Sequence, residues 1–229
     1  MRVPRVLAAA AAAAAGVGFY AAVVRPRLLR SGATGEEIEG EYPGADLIPG
    51  GTRGSTMAVT IDAPPERVWP WLVQMGHDRA GWYSWDRLDN FGRQSADRIH
   101  PEWQAVSVGD RMVSAPDGRY WFEIAALEPV RFLALRSVFD LRGRQVPAAG
   151  IRPAAYSDSV WCFQLIPLPG QRTRLVVGVY AAARPRALNA VAGFVFWEPA
   201  HWIMQRRQFT NLKRRIEHGA DIAVASTQR

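Results

Sequence analysis

Four histidines, one cysteine and a scatter of carboxylates are the side chains of this 229-residue chain from which proton transfer, nucleophilic attack or metal binding could be built. His77, His100, His201 and His218 are widely spaced, with no H-x-x-x-H or paired-cysteine pattern, so no known zinc or iron ligand set forms and no metal is expected. The only tight pairing is His100 with Glu102. A partly buried imidazole beside a carboxylate poises near neutral pH and can move a proton on a carbonyl substrate. Tyr83, Asp86 and Arg79 fall in the same loop region, which makes His100, Glu102 and Tyr83 the catalytic candidates. The competing reading is that these groups bond to one another and fix the loop, with Arg79 holding Asp86 by a charge-assisted bond. Cys162 stands alone, which excludes an intramolecular disulfide, and inside an apolar strand it reads as a small buried hydrophobe. The sequence holds no G-x-S-x-G elbow, phosphate loop or dinucleotide fingerprint, and no cofactor is expected.

The aromatic inventory is richer. Nine tryptophans are present, and Trp82, Tyr83 and Trp85 crowd one loop beside Asp86, where so much apolar area is unusual. With Trp103, Phe122, Phe163 and Trp202 they read as the wall of a cavity for a small hydrophobic ligand, since ligand pockets are mainly apolar with a few placed polar groups. A filled core would use the same residues, because aromatic side chains bury large areas with or without a ligand.

These side chains need elements to hold them. Ser55 to Ile61 alternates as a strand; Asp62 is a candidate N-cap, with Pro64 or Pro65 in the first helical turn. Val68, Trp69, Leu72 and Met75 then share one helical face, and Gly76 stops the helix. Residues 76–104 form a long connection with one short helix around Trp85 to Phe91, and such loops in compact domains usually do something. Strands are expected at Val108–Ser114, Arg119–Leu127, Arg131–Val138, Ser159–Pro167 and Arg172–Ala181, antiparallel because their links are short. Phe139 to Tyr156 has no period and reads equally as a flap over a cavity mouth or as a surface insertion. Helical sequence runs from Ala187 to about His218, interrupted at Glu198-Pro199. Trp202, Phe209, Leu212 and Ile216 form its apolar face. Arg206, Arg207, Lys213, Arg214 and Arg215 lie opposite, as a solvated face or a contact for anionic headgroups.

The run D-A-P-P-E-R-V-W-P-W-L-V-Q-M-G at 62–76, followed by R-A-G-W-Y-S-W-D at 79–86 and R-I-H-P-E-W-Q at 98–104, resembles the START-like, helix-grip superfamily SRPBCC, and within it the polyketide-cyclase-like actinobacterial members. The resemblance covers about residues 55–219. It implies an α+β helix-grip fold, in which a curved antiparallel sheet of six to seven strands wraps around a long C-terminal helix that closes a cavity, with Trp202 facing the ligand. That superfamily includes lipid carriers, hormone-binding proteins and aromatase/cyclases. Two functions follow: a carrier or sensor of a small hydrophobic ligand such as a lipid or polyketide-like molecule, or a cyclase/dehydratase-type enzyme using His100, Glu102 and Tyr83 at the cavity edge.

Val6 to Val24 carries no charge and is long enough to cross a hydrocarbon core of about 30 Å. Arg2 and Arg5 flank one end and Arg25, Arg27 and Arg30 the other. Ala14 and Gly16 would suit a cleavage site, but the apolar run continues through Phe19, Tyr20, Val23 and Val24, which favours a retained anchor. The expected division is therefore an anchor at 1–30, a linker at 31–54, a START-like ligand-binding domain at 55–219 and a tail at 220–229. The linker, with Glu36, Glu37, Glu39 and Glu41, reads as a solvated spacer. The arginines after the span and the lack of disulfides favour a single-pass protein of the cell membrane whose domain is cytoplasmic. The net charge of +7 is arginine-dominated, yet the basic residues are not interleaved with aromatics in a nucleic-acid motif, so no nucleic-acid partner is expected. Oligomeric state is left open.

Overall fold

One antiparallel sheet organises the chain: β1 (Thr52–Ile61), β2 (Arg111–Val113), β3 (Trp121–Glu128), β4 (Phe132–Asp140), β5 (Gln145–Val146), β6 (Tyr156–Leu168) and β7 (Arg172–Arg184). The computed structural model describes residues 3–227 and orders the strands β1-β7-β6-β4-β3-β2, with β5 paired to the end of β4. Helices α1 (Val3–Phe19), α2 (Arg25–Leu29) and α3 (Gly35–Glu39) precede the sheet; α4 (Pro65–Val73) and α5 (Asp86–Asp89) lie between β1 and β2; α6 (Arg186–Ala192) and α7 (Glu198–Thr227) close the chain. The mixed α+β architecture, with a long C-terminal helix laid on a seven-stranded sheet, is that of a helix-grip domain preceded by an apolar helix.

Side-chain alternation sorts the strands into two faces. Phe163 and Leu165 of β6, Leu133 and Leu135 of β4, and Leu175 and Val177 of β7 form the inner face. α4 covers it with Val68, Trp71 and Leu72, and α7 with Phe209, Leu212 and Ile216, producing one continuous core. Each such aliphatic or aromatic side chain contributes about 1.5–3 kcal/mol on full burial.

The outer face is apolar too, through Ala134, Val160 and Cys162, and it also needs cover. Residues 31–51 supply it. Tyr42 and Ile48 pack on that surface, Glu37 forms a two-bond ion pair with Arg174 at 2.7 and 2.8 Å, and the Ser31 carbonyl accepts the Ala58 N–H at 3.1 Å. Thr34 and Glu37 close a capping box that starts α3. The segment expected to be a solvated spacer is thus a strap bound to the back of the sheet, and β1 begins at Thr52, before the expected Ser55.

Other differences have local causes. Pro64, not Asp62, is the N-cap of α4, and the Asp62 N–H instead donates to Glu217 at 2.7 Å. Glu198-Pro199 does not break the C-terminal helix: a π-helical turn at Gly193–Trp197 runs straight into α7, and its wider turn accommodates the missing proline N–H. The same device joins α1 to α2, where a π turn at Tyr20–Val24 precedes Pro26. α7 extends to Thr227, so the described part of the expected 220–229 tail is helical. Two members of the supposedly solvated basic face are occupied. Lys213 binds the Thr60 carbonyl at 2.8 Å and Glu217 at 2.9 Å, and Arg215 donates to the Ala96 carbonyl at 2.9 Å.

The strap comes closest at Gly178, where a Cβ would lie 2.0 Å from the Tyr42 hydroxyl oxygen. Gly178→Ala is therefore expected to cost about 1–3 kcal/mol by overpacking, and the penalty should vanish in a Tyr42→Ala background. A double-mutant cycle by denaturant melts checks this, since additive costs would mean that the strap does not sit on β7.

Candidate functional site

α7 covers the inner face unevenly. Around Leu133, Leu165 and Leu175 the side chains are fully buried. Exposure rises toward the opposite end of each strand: from Phe163 through Trp161 to Ser159 in β6, from Val177 through Val179 to Ala181 in β7, from Leu135 to Phe139 in β4, and from Ile124 to Phe122 in β3. This half-covered patch is aromatic at its floor. Trp161 lies 5.8 Å from Phe122, 5.9 Å from Trp82 and 4.6 Å from Phe163 between ring centroids. Above it stand the first turns of α7, with the His201 ring 6.1 Å from Trp161 and Trp202 packed against the same core. Ser137 and Ser159 face each other across β4 and β6 with their hydroxyls 3.3 Å apart. Among the described residues, His201 Nε2 and Trp202 Nε1 are sealed from solvent without a hydrogen-bond partner.

The helix is registered over the sheet by three buried amides at intervals of three residues. Gln205 accepts the Trp161 indole N–H at 3.2 Å and donates to Gln208 at 2.8 Å; Gln208 donates to the Trp82 carbonyl at 2.9 Å; Asn211 donates to the Tyr83 carbonyl at 2.9 Å. The buried loop carbonyls are thereby satisfied, each of which would otherwise cost about 1–3 kcal/mol. Gln74, at the end of α4, ties the other half of the loop. Its Nε2 donates to the Tyr83 hydroxyl at 2.7 Å and to the Arg98 carbonyl at 3.1 Å, while its Oε1 accepts the His100 N–H at 3.0 Å. Sequence reasoning missed all four amides. The signal was the i, i+3, i+6 spacing of Gln205, Gln208 and Asn211 next to an apolar helical face.

Of the residues expected to line a cavity, the structure brings Trp82, Phe122, Phe163 and Trp202 to one core, with Trp82 and Phe163 buried and Phe122 and Trp202 half-buried. Tyr83 is fully buried with its backbone in the left-handed region at φ 58°. That turn sends Trp85 to the surface, where the Arg207 guanidinium covers its ring at 4.8 Å; Trp85 is not part of the wall. Trp103 packs against the same core and is stacked under His100 at 4.2 Å. His100 Nδ1 sits 3.1 Å from Glu102, whose carboxylate is exposed. Burial pushes the Tyr83 phenol above its ordinary range, and its hydroxyl is engaged by Gln74. The structure therefore does not gather the three candidates at one point: His100 and Glu102 pair with each other near the surface, and Tyr83 is buried against Gln74. Asp86 is held by Ser95, through the Ser95 N–H at 3.1 Å and its hydroxyl at 2.7 Å, rather than by Arg79. Cys162 is buried on the outer face, as expected of a small hydrophobe.

A separate open cleft of about 450 Å³ lies where α7 meets β1 and the strap, lined by Ser31, Val59, Arg206, Lys213 and Arg214 among others. Its polar rim contrasts with the aromatic patch.

No family model matches the chain, and no curated protein is similar to it. Solved structures overlap with it at low identity. Protein MLL2253 from Mesorhizobium loti is 24% identical with a TM-score of 0.39, covering 71% of this chain and 97% of that one. A protein from Arthrobacter aurescens is 15% identical with a TM-score of 0.42, covering 79% and 92%. DynU16, a protein in the dynemicin biosynthetic locus, is 17% identical with a TM-score of 0.40; the overlap spans 72% of this chain and 47% of that one.

His201 offers a check on the roof of the patch, because burial pushes its imidazole down to about 4. Between pH 6.5 and 4 the unfolded chain then binds a proton that the folded chain refuses, so this residue's contribution to stability falls as pH falls. The full effect is about 3 kcal/mol. Asp89, raised by burial to about 6, acts in the opposite sense over much of the same window. The comparison must therefore be wild type against His201→Leu: the stability of wild type minus that of the variant should rise from pH 4 to 6.5 and level above, and a difference independent of pH would place the ring in water.

Proposed function

We propose that this chain is a membrane-tethered binding protein, a carrier or sensor, for a small and largely apolar ligand such as a lipid or polyketide-like molecule. The observation that carries the reading is the graded cover of the inner face, which leaves Phe122, Phe139, Ser159, Trp161, Val179 and Ala181 half-exposed beneath the start of α7. Bare apolar surface costs about 25 cal/mol per Å² in water, so a ligand that covers the patch is stabilised by the area it removes. Aromatic rings at its floor favour planar or unsaturated groups. The Ser137 and Ser159 hydroxyls suit one or two polar groups on an otherwise apolar molecule.

Leu7–Leu29 is long and apolar enough to cross a membrane, with a mean hydropathy of 2.0 in its best window. A single-pass anchor places the patch close to a bilayer, the reservoir of apolar ligands. Arg25, Arg27 and Arg30 at the domain side of the span favour a cytoplasmic orientation. The cyclase/dehydratase alternative would need an acid/base pair at the patch; His100 and Glu102 are engaged with each other elsewhere, and His201, beside Trp161, has no hydrogen-bond partner at Nε2 among the described residues.

Full-length protein in nanodiscs tests this. It should retain an apolar molecule in native mass spectrometry and bind anilinonaphthalene sulfonate in competition with it. Ala181→Trp, which fills the patch, should weaken probe binding by about tenfold, or 1.4 kcal/mol. No retained molecule, together with equal probe binding by wild type and variant, would defeat the reading.

A further inference from the structure

After β7 the chain returns to the membrane-crossing helix. The two π-helical turns lie side by side: Tyr20 stands edge-on to Phe194 at 5.0 Å, and Arg25 forms a two-bond ion pair with Glu198 at 2.5 and 2.8 Å. Both contacts advance in the same chain direction, so the residues before Phe194 lie on the side from which the apolar span arrives. Around Phe194, Val191 on that side and Val195, Phe196 and Trp197 just after it are exposed, Phe196 at 59% and Trp197 at 64%.

Sheet register brings a second segment to the same end of the domain. Asp140 stands opposite Tyr156, and Tyr156 opposite Arg184, so the loop 141–155 projects beside the start of α6. It exposes Leu141 and Ile151, the latter at 95%. Residues 141–155 and 184–197 contain arginines and no carboxylate. Arg144 is paired with Asp140 at 2.8 Å and Arg152 with Asp158 at 2.6 Å, whereas Arg142, Arg184 and Arg186 have no ion-pair partner among the described residues.

We propose that this end of the domain is a second membrane-contacting surface, docked on the bilayer that the N-terminal helix crosses, with Leu141, Ile151, Phe196 and Trp197 in the interface and Arg142, Arg184 and Arg186 among anionic headgroups. A bilayer is the occupant the geometry favours, because the patch is continuous with the apolar span through the Tyr20–Phe194 and Arg25–Glu198 contacts. Its composition fits as well: Trp and Phe in a stretch that also carries arginine is the pattern of interfacial segments. The proposal rests on the tether of the preceding section but not on a ligand. If both hold, the half-covered aromatic patch opens toward the bilayer, since Ser159 and Ala181 lie between Trp161 and the docked end, and an apolar molecule passes from lipid to protein without crossing water.

Single cysteines carrying an environment-sensitive fluorophore test the docking in full-length protein reconstituted into phosphatidylcholine vesicles with and without phosphatidylglycerol. Cys162 does not interfere, as burial pushes its thiol up to about 12. Labels at Phe196→Cys and Ile151→Cys should shift to the blue and be quenched by nitroxide lipids. A label at Glu128→Cys, eight residues along β4's register and so about 26 Å away, should remain in water. Anionic lipid should strengthen docking, and each of Arg142→Gln, Arg184→Gln and Arg186→Gln should weaken it by about fivefold. Labels at 196 and 151 that are as water-accessible as at 128, or that are shielded only when another protein is added, would overturn the proposal. Carbonate extraction of the protein from vesicles would separately defeat the tether, whereas docking without retained ligand would defeat only the binding function.

Discussion

The position of α7 on the sheet is set by one interaction, the bond from the Trp161 indole to Gln205, continued through Gln208 to the Trp82 carbonyl. These groups are buried, so the helix cannot slide by a turn without stranding several donors and acceptors at a cost of about 1–3 kcal/mol each. That register decides what is covered. Phe209, Leu212 and Ile216 fall over the densely packed end of the inner face, while His201 and Trp202 fall over the half-open end. It also decides the shape of the loop, whose carbonyls at Trp82 and Tyr83 have, among the described residues, no partners other than the α7 amides. Core, loop and patch are therefore consequences of a single registration.

Much of this frame was legible in the sequence, because it rests on periodicity. Trp161, Phe163 and Leu165 alternate as a strand with one face in a core, and Phe209, Leu212 and Ile216 recur as one face of a helix; both patterns survive in the structure. The strap was not legible. Its low hydrophobicity and acidic cluster suggest solvation, yet its few apolar residues, Tyr42 and Ile48, meet a sheet whose second face is also apolar. Detecting that required seeing that Val160 and Cys162 alternate with Trp161 and Phe163, so that β6 is hydrophobic on both sides. Site residues were harder still. Trp85 looked like cavity wall by composition, but a single left-handed residue, Tyr83, reverses which aromatic points inward. The amides that hold the site are ordinary polar residues in sequence, and only burial distinguishes them.

The loop 141–155 illustrates how electrostatics orders a segment that has no periodicity. Asp158 is wholly buried and binds two arginines, Arg136 of β4 through two bonds at 2.8 and 2.9 Å and Arg152 of the loop at 2.6 Å. A buried carboxylate with a single cation would balance charge, so the second arginine contributes position more than neutrality. It fastens the loop to β6, near the end of the sheet where α6 begins, and leaves Leu141 and Ile151 outward. The two π-helical turns act comparably at the other side, placing Arg25 opposite Glu198 so that the apolar helix leaves the domain in a fixed place.

Exposed apolar surface at one end of the domain and half-covered aromatic surface inside that same end have a common physical explanation. In water both would be unfavourable, and a domain with a free choice of sequence would close the inner face with a longer apolar stretch on α7 or a bulkier residue than Ser159 or Ala181. Neither is done. Small residues occupy the inner positions nearest the membrane helix, while large apolar residues occupy the outer positions of the adjoining loop and helix. That distribution is unfavourable for a domain surrounded by water on all sides and favourable for one whose end faces lipid, because lipid covers the outer residues and an apolar molecule drawn from it covers the inner ones. On the proposed reading, the N-terminal helix would do more than confine the protein to a membrane: it would orient toward lipid the end of the fold that carries this surface.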